Sequence, residues 1–515
     1  MKVDVLIIGS GIAGLSAAIA LAERKRNVMI ITRAQDAEES NTLYAQGGIA
    51  YKDPHESLKS FKQDIVSAGA GLVNTQAVDR LIEKGPRYIE EILLKKVNVP
   101  FDRSHGKYDL GREGAHSEFR VLHSKDYTGK SIELALLKYI ERFKNVTIHT
   151  NKTAIDLLTL SHHSLNPEDR YKPSTCIGAY IFDQTSGVVE TVFAKETLLA
   201  TGGIGQLYLH TTNPQGARGD GIAMAYRAGG RIINLEYIQF HPTTLYSRER
   251  INRFLISEAL RGQGAKLINK KGKSFMRLYH KFAELAPRDV VSRAIHSEML
   301  KDNTECVYLD ISFKKSSWIK THFPQIYQTC KSQGIDITCT PIPVVPAAHY
   351  LCGGVYVNLS GETTIKGLSA IGEVACNGLH GANRLASTSL LEVLVFGTDC
   401  ALALGKKLHD TTYYFPKVAP WKTGKEAVDP SLIYQDMNMI KQTMWNYVGL
   451  TRGEKQLLRA SELLQEFNNQ IEKFYKNGLL SDSLIGLRNM AMASLLVMKA
   501  ALLNKTSKGC HFRID

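Results

Sequence analysis

The apolar run Val3-Asp4-Val5-Leu6-Ile7-Ile8 ends in Gly9-Ser10-Gly11-Ile12-Ala13-Gly14, and an Ala/Leu-rich helix is expected from about Leu15 to Arg24. This order of buried strand, glycine turn and helix constrains the fold more than any other feature. Gly9 permits the tight turn, Gly11 lets backbone approach a pyrophosphate, and Gly14 lets the helix pack close to the strand. The helix N-terminus, from Ser10 to Ala13, can then face phosphates with its free N–H groups and its dipole. The expectation is an α/β fold with a Rossmann-type dinucleotide-binding core. A second strand, Val28-Met29-Ile30-Ile31, should end in an acid for the adenosine ribose, but Thr32 and Arg33 stand there. Arg33 and its neighbours must therefore remake that contact, and the dinucleotide should be held less tightly than where the acid is present.

A chain of 515 residues is too long for one simple core, so two or three domains are expected, one of them discontinuous. The formal charge of +14 favours anionic ligands. Basic clusters such as Arg24-Lys25-Arg26 and Lys270-Lys271 are short and lack interleaved aromatics, which argues against a nucleic-acid partner. The eight cysteines form no CxxC pair and no Cys/His spacing suited to zinc, so no metal is expected and a reduced cytoplasmic protein is. A strand beginning at Val3 leaves no room for a secretory signal. The longest apolar stretches are interrupted by Glu392, Asp399 and Lys499, short of the ~20 residues a membrane span needs.

The loop Ser40-Asn41-Thr42-Leu43-Tyr44-Ala45-Gln46-Gly47-Gly48-Ile49-Ala50 has neither helical nor strand periodicity. It resembles the flavin-contacting loop of the succinate dehydrogenase, fumarate reductase and L-aspartate oxidase superfamily, in which AQGG lies beside the ring. The resemblance implies FAD, contacted by Asn41 to Gly48. Asn41 occupies the place of the histidine that bonds covalently to flavin in some branches, which implies a non-covalent cofactor. Further segments match the same superfamily in order: Leu198 to Gly203, Gly219-Asp220-Gly221, Ile371-Gly372-Glu373-Val374, and Gly378 to Leu391. By that resemblance Asp220 and Glu373 contact the cofactor, Glu373 at the ribityl chain, while Ser389 and Leu390 present backbone N–H groups to the ring. The implied architecture is an FAD-binding domain over residues 1–234 and 351–410, an inserted α+β capping domain over 235–350, and a C-terminal helical bundle over 420–515.

Oxidation of a dicarboxylate by hydride transfer requires cations or donors at both carboxylates and a group that manages protons. The segments around His241, Arg288, His349 and Arg384 match superfamily positions that contact substrate. The resemblance implies carboxylate binding by His241, His349 and Arg384, and places Arg288 near the reacting carbons with Glu258 tuning it. The run Gly111-Arg112-Glu113-Gly114-Ala115-His116-Ser117 resembles the REGGHS segment of the L-aspartate oxidase branch, whose glutamate faces the substrate ammonium. Glu113 matches that glutamate, while Ala115 departs from the pattern's glycine. The function so implied is oxidation of L-aspartate to iminoaspartate, the first step of NAD biosynthesis. Oxygen, giving hydrogen peroxide, or fumarate would be the acceptor, with a functional link to quinolinate synthase. The alternative is a soluble fumarate reductase or succinate-oxidising flavoprotein.

Beyond about Ser431 the pattern becomes helical. Leu457, Ala460, Leu464, Phe467, Ile471 and Phe474 recur at three and four residues, as do Leu484, Leu487, Ala491, Leu495 and Met498. Gly509 is expected to cap the last helix.

Overall fold

The structure, a computed structural model, describes residues 1–51, 58–247, 253–410 and 412–515. Its central sheet grows from the first strand. Lys2–Ile8 pairs in parallel with Val28–Ile31 on one side and Val189–Leu199 on the other. Val146–His149 extends the sheet beyond Val28–Ile31, and Leu368–Ala370 joins the end of Val189–Leu199, both again parallel. Val5, Leu6 and Ile7 are fully buried, as a strand covered on both faces must be. Cys176–Asp183 and Lys152–Thr159 add an antiparallel edge. The glycine turn leads into the helix Ile12–Ala22, all of whose residues are buried between the sheet and the long helix Ser389–Asp410. This helix begins at Ile12, earlier than Leu15, because the turn itself supplies its first residues and Gly11 is the N-cap.

Leu368–Ala370 enters the central sheet only after a separate antiparallel sheet has intervened, so the FAD-binding fold is discontinuous. That second sheet runs in the order Ile238–Leu245, Ile342–Leu351, Val307–Asp310, Lys266–Ile268. The helix Arg288–Asp302 packs against it, and Leu245, Leu267, Val291, Ile295 and Leu309 fill a core of its own. Three helices close the chain: Pro430–Tyr447, Glu454–Asn477 and Asp482–Leu503. Their apolar faces meet Ile222, Met224 and Leu207 in one continuous core with one face of the central sheet. The bundle is therefore fastened to the nucleotide domain.

Two expectations are corrected here. Asp482–Leu503 is long and apolar enough to cross a membrane by length and composition, although Arg488 and Lys499 fall within it. In the fold, 72% of its apolar window is buried, and a helix apolar all round is a core helix here. This helix ends at Leu503 with Asn504 as its C-cap, so Gly509 caps nothing. Gly509 instead adopts φ +54° in the final turn, where a Cβ would strike the Ala382 backbone.

Candidate functional site

A cleft opens at the C-terminal ends of the parallel strands, between the central sheet and the inserted sheet. Open α/β sheets bind ligands at this place. Gly9 to Ala13, Arg33, Asn41, Thr42, Tyr44 to Gly48, Asp220, Glu373, Ser389 and Leu390 all line it. So do Glu113, His241, Glu258, Arg288, His349 and Arg384. Gly14 and Leu43 do not. Gly14 is needed for packing, since a Cβ there would lie 2.2 Å from the Gly9 carbonyl oxygen.

At the nucleotide end the backbone leaves a cradle. Gly9 has φ +118°, and a Cβ on it would lie 2.1 Å from the Ala200 oxygen, so only glycine fits the turn. The helix Ile12–Ala22 takes no side-chain cap from Gly11 and has no acidic residue in its first turn; Ile12 N–H donates to Thr42 Oγ1 at 3.2 Å, and the positive end of the helix dipole faces the cleft. Buried polar atoms along the wall, Asn41 Oδ1, Gln46 Oε1, Thr201 Oγ1 and Asn213 Oδ1, lack protein partners. Together the glycine cradle, the positive helix end and these orphaned atoms fit a polar dinucleotide such as FAD. Asn41 donates its amide to Glu373 at 2.8 Å, and Leu351 N–H donates to the same carboxylate at 3.0 Å. Burial pushes the Glu373 carboxyl up to about 7. Arg33, where the ribose acid was missing, is anchored from the far end of the chain. Asp482 accepts from Arg33 Nη2 at 2.9 Å, from Arg218 Nη1 at 2.9 Å and from Thr153 Oγ1 at 2.7 Å.

At the other end, cations converge. Arg288 opens the helix Arg288–Asp302, a position where the helix dipole disfavours a positive charge. Its Nε donates to Glu258 at 2.7 Å, and Arg261 approaches the same carboxylate at 3.4 Å. Burial alone would raise the Glu258 carboxyl, but Arg288 and Arg261 outweigh it and hold it down at about 2. Gln239 Oε1 accepts from both Arg288 Nη1 and Arg384 Nη2, each at 3.1 Å. The Arg384 guanidinium also lies 4.4 Å above the Tyr350 ring and donates to Ser389 Oγ. His241 and His349 stand edge to face, ring centroids 5.2 Å apart. His241 Nδ1 contacts the Thr243 carbonyl and His349 Nδ1 the Thr212 hydroxyl, leaving each Nε2 for other partners. Burial and the arginines keep both rings well below the usual histidine range, so they are neutral at pH 7 before an anion arrives.

Glu113 comes from a loop on the facing side. Its carboxylate accepts from Ser387 Oγ at 2.6 Å, and it packs so closely on the flavin loop that a Cβ at Gly47 would lie 2.6 Å from Glu113 Oε1. Burial raises the Glu113 carboxyl, against the opposing pull of Arg288. Ala115 keeps the backbone conformation expected of the glycine it replaces, at φ +65°. His116 ties this loop to the opposite wall. Arg120 donates to its Nδ1, so its Nε2–H donates to the Ala386 carbonyl at 2.9 Å.

Sequence reasoning missed Gln239, Ser387, Tyr350 and Asp482. Gln239 shares strand Ile238–Leu245 with His241, two residues away, so strand alternation could have singled it out. No local pattern marks the others.

Residues 4–390 match the FAD binding domain family, and residues 437–515 match the fumarate reductase flavoprotein C-terminal family. L-aspartate oxidase of Pseudomonas aeruginosa is 41% identical over 522 residues, covering 99% of this chain and 95% of that protein. L-aspartate oxidase 1 of Ralstonia nicotianae is 43% identical, covering 100% of this chain and 96% of its own. Among solved structures, quinol fumarate reductase of E. coli is 26% identical with a TM-score of 0.88, covering 100% of this chain and 91% of that one. Sdh1 of Mycobacterium smegmatis is 29% identical with a TM-score of 0.83, covering 100% of this chain and 89% of that one. The ordered flavin segments, the cation cluster and full-length similarity agree: the chain belongs to the L-aspartate oxidase family, within the fumarate reductase and succinate dehydrogenase flavoprotein superfamily.

Proposed function

We propose that the protein is an FAD-dependent L-aspartate oxidase that forms iminoaspartate, with oxygen or fumarate as electron acceptor, at the start of NAD biosynthesis. The observation that carries this reading is Glu113, a half-buried carboxylate lining the same cleft as Arg288, Arg384, His241 and His349. A dicarboxylate alone gains nothing from a fixed negative charge, whereas an ammonium group needs one.

FAD, held non-covalently along the glycine cradle by residues 9–13, Arg33, residues 41–48, Asp220, Glu373, Ser389 and Leu390, supplies the two-electron acceptor. The protein's own groups do the rest. Arg384, His241 and His349 bind the two substrate carboxylates, and the neutral histidines take up a proton as the dicarboxylate enters. Glu113 pairs with the substrate amine and accepts its proton as the imine forms. Gln239 holds Arg288 and Arg384 in register, which fixes the distance between the carboxylate site and the reacting carbons. Glu258, ionised between two guanidinium groups, orients Arg288 toward the reacting carbons. The segment 235–350 acts as a cap that excludes water when substrate groups from both sides of the cleft are brought together. We place the protein in the cytoplasm, with its product passed to quinolinate synthase.

The test is anaerobic mixing of the holoenzyme with L-aspartate or with succinate. Bleaching of the flavin absorbance by L-aspartate and not by succinate is expected. Bleaching by succinate alone would make the protein a succinate-oxidising enzyme.

A further inference from the structure

Ser387 has φ +58° and is buried at 7% exposure. Glycine occupies that conformation without penalty, and a residue with a Cβ does not. Non-glycine residues in such strain persist where the side chain or the geometry is needed. Its hydroxyl donates to Glu113 at 2.6 Å and accepts from Gly48 N–H at 3.3 Å, while its carbonyl accepts from Ala50 N–H at 2.9 Å. One residue therefore joins the flavin loop to the carboxylate assigned to the amine. A short hydrogen bond to an ionised acceptor is strong as well as directional. The backbone bond to Ala50 could be made by glycine; only the hydroxyl needs serine.

We propose that Ser387 is a positioning residue for amine recognition: it holds the Glu113 carboxylate at the substrate's ammonium group, registered to the flavin loop, and the backbone strain is retained for the sake of that hydroxyl. This rests on the role given to Glu113 above. It makes selection between an amino dicarboxylate and a plain one depend on a second residue, 274 positions away in the chain.

The holoenzyme and its Ser387→Gly, Ser387→Ala and Glu113→Gln variants, together with the two double variants, test this. kcat/KM is measured for L-aspartate oxidation and for fumarate reduction, and stability by chemical denaturation. Loss of a hydrogen bond to a charged group should lower the aspartate-to-fumarate ratio at least about tenfold in both Ser387 variants. In the Glu113→Gln background neither substitution should lower it further. Ser387→Gly should also be more stable than Ser387→Ala, because both lose the hydroxyl and only glycine is free of the backbone strain. A Glu113→Gln variant that lost the ratio beside Ser387 variants that kept it would overturn the role of Ser387 alone. Additive losses in the double variants would overturn it too, by separating Ser387 from Glu113. A Glu113→Gln variant with an unchanged ratio would remove the amine-recognition role of Glu113 itself.

Discussion

Glu258→Gln separates stability from ligand binding in opposite directions. The carboxylate side chain is 4% exposed and lies between Arg288 Nε at 2.7 Å and Arg261 Nη2 at 3.4 Å. Held from 4.5 down to about 2, it contributes about 3 kcal/mol to the folded state at neutral pH. Breaking a buried ion pair by removing one charge costs about 3–5 kcal/mol, which agrees. Glutamine keeps the shape, so the loss is electrostatic. The sign of the pH dependence follows from the depressed value: the contribution is full above pH 4.5 and is lost as pH falls toward 2. Denaturant unfolding of parent and variant should differ by about 3 kcal/mol at pH 7, and the two should converge as the pH is lowered below 4.5. The substitution also leaves one more positive charge in the cleft. At an effective dielectric of about 20 and a separation of roughly 8 Å, that adds about 2 kcal/mol of attraction for an anion. Succinate should therefore bind about thirtyfold more tightly to the variant, measured by calorimetry, while fumarate reduction collapses because Arg288 has lost the carboxylate that orients it. Unchanged stability at pH 7 would refute Glu258 as the counter-charge. Weakened succinate binding would refute the charge argument.

Asp482→Asn should raise the Kd for FAD about tenfold, read by quenching of flavin fluorescence on titration into apoprotein, because Arg33 loses its charged anchor. Unaltered FAD affinity with lowered stability would confine Asp482 to joining the bundle to the nucleotide domain. Substrate binding should be linked to proton uptake: His241 and His349 are neutral in the free enzyme through burial and neighbouring arginines, and a bound dicarboxylate raises both. KM for L-aspartate should climb as pH rises above neutral while calorimetry in buffers of different ionisation enthalpy records net proton uptake; a pH-independent KM contradicts it. Ala115→Gly should stabilise the protein by about 1 kcal/mol, since the loop already holds φ +65°, and should leave the preference for L-aspartate over fumarate in place.

The nucleotide domain was legible because its information is local. Gly9 to Gly14 follow a strand and open a helix within a dozen residues, and each glycine answers a steric demand that the structure displays at Gly9 and Gly14. The substrate residues were legible one at a time, through short segments around His241, Arg288, His349 and Arg384. What joins them was not. Gln239 reaches Arg384 across 145 positions, Ser387 reaches Glu113 across 274, and Asp482 reaches Arg33 across 449. Such contacts arise from tertiary packing and leave no period in the chain. The missing ribose acid shows the consequence, because the carboxylate that anchors Arg33 sits at the start of a helix in the C-terminal bundle, where a local motif cannot record it.

The site also departs from local rules in a consistent way. Arg288 opens a helix where an anion is preferred, and Ala115 and Ser387 hold a backbone conformation suited to glycine. Three carboxyl groups lie close to arginines, Glu258 and Glu373 buried and Glu113 half-buried. Each departure costs stability by itself, and all but Ala115 line the same cleft. Sequences fold reliably when local and global preferences agree, so conflicts gathered in one place mark where function sets the residue. The well-packed cores of both sheets and the bundle carry that cost. It follows that the substitutions easing local strain, Ala115→Gly and Ser387→Gly, part company. The first removes no group that touches the cleft, while the second removes the hydroxyl on which Glu113 rests. Equal effects of the two on aspartate selectivity would show that strain in the backbone, and not the hydroxyl, orders this side of the site.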